Sequence, residues 1–232
     1  GYTTTAIHPY YGSGWNRNTV YPLLGFDNMI FKDAFTAPKK IRNYISDESA
    51  FQKIIDLYEE KGSDEKLFAF EVTMQNHGGY SKDTDDFRES VYLTDELNQG
   101  TQVRAAEKYL TLIQKSDEAF KELVEYFEKQ KEPTIILMFG DHQPSDYITN
   151  VILRELDLDR DESQDVYFDN YIVPYIMWSN YDMDTTHVEN ISLNYLSGLL
   201  MEKAGIGLTG YQQFLKDMQA ELPVITANMV ME

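Results

Sequence analysis

The chain contains no cysteine, which removes a thiolate nucleophile, a zinc–thiolate cluster and a disulfide framework together. It has no run of about 18 apolar residues, the length a membrane-spanning helix needs. Cations are scarce: 20 Lys and Arg stand against 39 Asp and Glu, for a formal net charge of −19. That balance argues against a nucleic-acid or anionic-membrane surface. An anionic substrate would need a local cation, either a bound metal or a placed arginine. No phosphate-cradling glycine loop, dinucleotide fingerprint or nucleophile elbow occurs.

A hydrophobic fraction of 42% over 232 residues suffices for the core of one α/β domain, or of part of a larger one. The chain opens at Gly1-Tyr2-Thr3 directly on strand character, without a leader, as expected of a piece of a longer protein. Elements alternate in the α/β manner. Thr3–Ile7, Leu67–Thr73, Thr134–Phe139 and Tyr171–Trp178 read as strands. Ser49–Lys61 reads as a helix, and a long helix carries the stripe Val103, Ala106, Leu110, Ile113, Phe120, Val124 and Phe127. Helices capped by Ser192 and Thr209 are expected near the end. His8–Gly25, rich in Gly, Asn, Pro and aromatics, reads as a long loop. Asp157–Asp169, with six acids among thirteen residues, reads as a solvated loop.

Three groups of residues could carry chemistry. Asp141-His142 follows the apolar strand Thr134–Phe139 through Gly140, and ligands in open α/β sheets gather beyond the carboxyl ends of strands. A carboxylate and a neutral imidazole suit zinc, manganese or iron, although Asp141 could instead cap a turn and His142 be a surface residue. His77 sits in Gln75-Asn76-His77-Gly78-Gly79, where its imidazole could donate to an anionic oxygen or merely be satisfied by backbone. The loop His8-Pro9-Tyr10-Tyr11-Gly12-Ser13-Gly14-Trp15-Asn16-Arg17 could offer the fork of Arg17 to phosphate or sulfate and Trp15 to a glycerol or sugar skeleton. Taken alone it could equally be an aromatic packing loop. His187 reads as a surface residue.

In order along the chain, five stretches resemble the lipoteichoic acid synthase and phosphoglycerol transferase group, in the sulfatase branch of the alkaline phosphatase superfamily. They are Ala6-Ile7-His8-Pro9-Tyr10 through Trp15-Asn16-Arg17, Val20-Tyr21-Pro22-Leu23-Leu24-Gly25-Phe26-Asp27, Thr73-Met74-Gln75-Asn76-His77-Gly78, Phe139-Gly140-Asp141-His142-Gln143-Pro144, and Pro174 to Leu196. The resemblance implies an α/β fold with a mixed, mostly parallel sheet flanked by helices, alkaline-phosphatase-like and incomplete in this chain. Residues 1–232 would be the C-terminal part of an extracellular catalytic domain, its N-terminal half and membrane helices lying outside the sequence.

The same resemblance assigns roles. Asp141 and His142 would hold a divalent metal, usually manganese in this group. His8, Trp15, Arg17 and His77 would form the pocket for a phosphoglycerol head group. The threonine nucleophile and a further acidic ligand have no matching position here, so the parent protein would transfer phosphoglycerol from a glycerolphosphate lipid or polymer at the cell surface while this piece alone would be inactive. A sulfatase or phosphodiesterase of the same superfamily, and a non-catalytic module for anionic glycans or lipids, are the alternatives. Exposed strand edges of a partial sheet make a homodimer of the chain one expected outcome.

Overall fold

The structure is a computed structural model that describes residues 1–94, 100–156, 171–186, 188, 190–226 and 230–231. The acidic stretch Asp157–Asp169 and His187 therefore lie outside the described residues. The chain divides into two units, Gly1–Tyr126 with Pro144–Arg160, and Phe127–Gln143 with Asp161–Glu232.

The first unit is built on a three-stranded parallel sheet. Strand β1 (Tyr2–His8) lies between β2 (Asn28–Phe31) and β5 (Lys66–Glu71). The register pairs Ile7 with Ile30 on one side and with Glu71 on the other. Because all three strands run the same way, their carboxyl ends share one edge. The apolar and β-branched run of β1 suits a central strand, and its last four residues, Thr5 to His8, are buried.

A two-residue hairpin, β3 (Lys40–Ile41) and β4 (Tyr44–Ile45), precedes helix α2 (Asp47–Glu60). Ser46 caps α2, its Oγ accepting from the Ser49 amide at 3.2 Å, and Asp47 and Glu48 complement the positive helix end. Ile54 and Leu57 of α2 close over Ile7, Ile30, Phe35, Ile45 and Ala69.

The expected loop His8–Gly25 is partly helical: a 3₁₀ turn, Gly14–Asn16, runs into α1 (Arg17–Leu23). Trp15 and Asn16 take positive φ, +50° and +55°, and so reverse the chain without a glycine at either place. The long helix α3 (Thr101–Phe127) forms as expected, and Val103, Ala106, Phe120 and Phe127 of the anticipated stripe are buried. Ile113 departs from it at 42% exposed, and the buried face is broader than the stripe, taking in Ala105, Leu112, Ala119 and Leu123. Polar residues share that face. Lys108 reaches the Lys82 carbonyl, Thr111 Oγ1 accepts from the amides of Ser90 and Val91, and Ser116 serves a buried network described below. Val103, Ala105 and Ala106 pack on Ile148 and Val151 of α4 (Asp146–Glu155).

In the second unit β6 (Ile135–Phe139) pairs antiparallel with β7 (Tyr175–Ser179), so the sheets of the molecule are mixed in direction. The Gly140 amide extends the ladder to the Pro174 carbonyl at 3.1 Å, and a Cβ at Gly140 would stand 3.1 Å from that of Val173. Helices α5 (Leu193–Lys203) and α6 (Gly210–Glu221) follow, with β8 (Val224–Ile225) and β9 (Val230–Met231). Thr209 caps α6 as expected. Ser192 stands at the N-cap of α5 but makes no capping bond; its hydroxyl donates to the Ile225 carbonyl and accepts from the Ile225 amide. Asn180 joins loop to strand: its Nδ2 donates to the carbonyls of Phe127, Gln130 and Glu132 while its Oδ1 accepts from the Thr134 amide at 2.8 Å.

A buried polar network lies under the sheet edge of the first unit. Asp47 Oδ2 accepts from Ser116 and Gln75, and the Asp47 amide donates to Gln75 Oε1 at 3.1 Å. Asp47 Oδ1 and both oxygens of Glu71 are buried without partners. Burial is the main cause that pushes Asp47 up to about 6, and it raises Glu71 well above the carboxylate range, with the Asp47 charge adding to the effect.

Two predictions follow from these contacts. Asn180→Ala should cost about 2–3 kcal/mol, read by urea unfolding, because it strands several backbone groups at once. Glu71 and Asp47 bind protons more tightly folded than unfolded, so their contribution is complete below their ordinary values and is lost as pH rises through the raised ones. Glu71→Gln, neutral throughout, should flatten the fall in Tm as pH rises above the ordinary carboxylate range; parallel Tm curves for variant and parent would refute the assignment.

Candidate active site

The shared carboxyl edge of β1 and β5 delivers two of the histidines. His8 ends β1 and is fully buried. Its Nδ1 lies 2.7 Å from the Val72 carbonyl just past β5. A carbonyl can only accept, so Nδ1 carries the proton and Nε2 keeps a lone pair. Nε2 is buried and has no partner among the described residues. Burial lowers the His8 pKa, the Val72 bond works against that, and the nearby Arg17 charge lowers it further. His8 is therefore a neutral imidazole whose Nε2 lone pair is unused among the described residues.

His77 reaches the same place from the loop after β5. Its amide donates to the Met74 carbonyl at 3.0 Å, closing a turn that leaves the imidazole exposed. Trp15 lies between the two histidines, its ring centroid 5.8 Å from that of His8 and 5.7 Å from that of His77, both edge-on. Arg17 lays its guanidinium 5.2 Å from the Trp15 ring centroid and donates from Nη1 to the Tyr21 hydroxyl at 2.7 Å. The Arg17 Nε is buried and unpartnered. The structure thus gathers His8, Trp15, Arg17 and His77 into one cluster, with one open acceptor and one open donor. Such a cluster can hold a small molecule having a hydroxyl at one end and an anion at the other.

Residues that the sequence did not single out complete the cluster. Tyr10 stands between Trp15 and Tyr44, with centroids at 6.5 and 6.1 Å, and Tyr44 also meets His77 at 6.0 Å. Tyr10 lay inside a motif already noted, whereas the hairpin carrying Tyr44 was marked only by the weak alternation Lys40-Ile41-Arg42-Asn43-Tyr44-Ile45, with no glycine at its turn.

Asp141 and His142 follow β6 in the second unit. They are open to solvent, with side-chain exposures of 75% and 77%. The Asp141 carboxylate accepts from the His142 amide at 2.9 Å, the local cap expected of an Asp at a turn. His142 Nδ1 lies 2.8 Å from the Gln143 carbonyl, which leaves Nε2 as the free lone pair, 3.5 Å from Asp141 Oδ2. Two ligands of one small divalent cation stand about 3–3.4 Å apart. The pair fits two positions of a metal shell, and among the described residues no group of three or more His, Cys, Asp or Glu is arranged to hold a metal.

Among the described residues, no helix is long and apolar enough to cross a membrane. A putatively named cyclic beta-1,2-glucan modification protein of Rhizobium meliloti is 29% identical over 219 residues, 93% of this chain and 34% of that protein. Lipoteichoic acid synthase 1 of Bacillus subtilis is 26% identical over 165 residues, 67% of this chain and 24% of that protein. The chain therefore spans about a third or less of the length of these two relatives. Among solved structures, the Streptococcus pyogenes phosphoglycerol transferase GacH in complex with sn-glycerol-1-phosphate superposes with a TM-score of 0.72 at 21% identity, over 99% of this chain and 56% of that one. At that identity the likeness speaks for the fold, and it agrees with the α/β architecture expected from the sequence. The sulfatase family model matches residues 1–206, and the chain belongs to the sulfatase family.

Proposed function

We propose that this chain is part of the catalytic domain of a metal-dependent phosphoglycerol transferase acting on a glycerolphosphate lipid or polymer at the cell surface. The observation that supports this most is the pairing of two unpartnered buried atoms, His8 Nε2 and Arg17 Nε, around the Trp15 ring. In this reading His8 accepts the hydrogen of a glycerol hydroxyl and Trp15 packs on the carbon skeleton. Arg17 and His77 donate to the phosphate oxygens. Arg17 also supplies the local positive charge that a chain of net charge −19 otherwise lacks.

Asp141 and His142 would hold the divalent metal, manganese in this reading. When bound, that ion polarises a phosphoryl oxygen and offsets charge developing on it. The chain's own contribution is to fix the His142 tautomer through Gln143 and to hold Nε2 3.5 Å from Asp141 Oδ2. The threonine nucleophile and the remaining ligand come from polypeptide beyond this sequence, in a parent anchored to the membrane with its catalytic domain outside.

Two experiments test the reading. Titrating the chain with sn-glycerol-1-phosphate by calorimetry should show binding that Arg17→Ala weakens by about thirtyfold or more. No binding by the parent chain, or a preference for a sulfate monoester, would count for a hydrolase instead. Adding Mn2+ should broaden the His142 imidazole resonances selectively. Asp141→Asn should raise the Mn2+ concentration required by about tenfold, and an unchanged titration would remove Asp141 as a ligand.

A further inference from the structure

Arg42 has a combination of properties that packing alone does not account for. It occupies the first turn position of the hairpin between β3 and β4, at φ +53°, with Asn43 following at +69°. Two consecutive positive φ values define the turn that suits the twist of a short hairpin, and Asn or Gly normally fills its first position. Asn43 is at ease there. Arginine is not, since its Cβ crowds the backbone in this region. The Asp86 carboxylate fastens the turn, accepting from the Asn43 amide at 3.3 Å and from the Arg42 amide.

The side chain is as unusual as the backbone. Arg42 is only 6% exposed, and its guanidinium forms no ion pair among the described residues. It lies 4.8 Å from the Tyr80 ring centroid. Nη1 donates to the His77 carbonyl at 3.5 Å and Nη2 to the Gly78 carbonyl at 3.3 Å. The loop carrying His77 is thus held at two successive carbonyls by one planar fork. Tyr80 holds the same loop one residue earlier, its hydroxyl donating to the Asn76 carbonyl. From the other end of the hairpin, Tyr44 sets its ring against the His77 imidazole.

We propose that Arg42 is a positioning residue: it clamps the main chain of His77 and Gly78 so that the imidazole is presented against Trp15. This rests on the phosphoglycerol reading of the Trp15 cluster and extends that cluster to a residue outside its motifs. The loop is tied up to Asn76 by the Gln75 and Asn76 side chains on Ser116 and by Tyr80, whereas His77, Gly78 and Gly79 beyond it are exposed. A planar fork spanning two carbonyls removes freedom there before a ligand arrives, which is where preorganisation raises affinity. Lysine, a point donor on a flexible stem, cannot span both.

The test compares Arg42→Gly with Arg42→Lys in the chain. Glycine relieves the positive φ, so a role confined to the hairpin turn predicts an unharmed protein. The clamp predicts instead that R42G weakens sn-glycerol-1-phosphate binding by about tenfold and moves the His77 ring signals in 1H–15N spectra, with those of His8 unchanged. R42K should fall between, about threefold weaker, and serves as the reporter if R42G does not fold. Parent-like affinity and parent-like His77 signals in the folded variants would overturn the proposal. Should the parent chain itself fail to bind sn-glycerol-1-phosphate, the functional reading falls, and the His77 signals still decide the clamp.

Discussion

The hydrogen bond from His8 Nδ1 to the Val72 carbonyl, 2.7 Å long, organises everything around it. It joins the last residue of β1 to the first residue beyond β5, at the edge where parallel strands present their carboxyl ends. One bond settles three things: the tautomer of His8, the direction of its open nitrogen, and the height at which the loop to His77 departs. Trp15 then has a fixed imidazole to pack against, and Arg17 a fixed ring to lie over. The Val72 carbonyl can only accept, so the chemistry of this edge is decided by backbone polarity before any ligand is considered.

Charge is handled with similar economy. A chain with nearly twice as many acids as bases must keep negative charge away from any place meant for an anion. The carboxyl oxygens of Glu71, the last residue of β5, and the Asp47 side chain are buried, and burial shifts both acids toward the protonated form. Glu71 immediately precedes Val72, so an ionised carboxylate there would sit beside the His8 anchor. Holding it neutral leaves the field of Arg17 uncancelled where Nε is open. The cost is a set of unpartnered carboxyl oxygens, which is why the stability of the first unit should carry a pH signature opposite to that of an exposed salt-bridged acid.

Much of this was legible beforehand because it rests on periodicity and on ordered motifs. β1, β5, β6 and β7 lie within a few residues of the apolar runs that announced them, and α2 and α6 start at their caps. His8, Trp15, Arg17 and His77 came from motif order, and the structure brings the four together. What escaped rests on tertiary context. α1 depends on Trp15 and Asn16 adopting a backbone conformation that glycine usually advertises. The buried face of α3 is broader than its apolar stripe because Lys108, Thr111 and Ser116 found buried partners, and an apolar stripe cannot register polar residues that are satisfied. The burial of Glu71 likewise follows from the strand face shared with Ala69, not from its own chemistry.

Backbone strain falls where the site needs rigidity. Among the described residues, five other than glycine have positive φ: Trp15, Asn16, Ala37, Arg42 and Asn43. The two asparagines bear it cheaply, whereas Trp15 and Arg42 each give up on the order of 1 kcal/mol. Both converge on His77, Trp15 at its ring and Arg42 at its carbonyl. Strain of this kind survives only where surrounding contacts overdetermine the conformation. For Trp15 those contacts are the His8 ring, the Arg17 guanidinium and the Asn18 amide bonded to the Gly12 carbonyl at 2.8 Å. For Arg42 they are Asp86, Tyr80 and the two loop carbonyls. A fold seeking only stability would place glycine or asparagine at positions 15 and 42, as it does at 16 and 43. Trp15 and Arg42 stand there instead because each meets the His77 segment, one at the ring and one at the carbonyl, and adds to the hold of Tyr44 on the same imidazole.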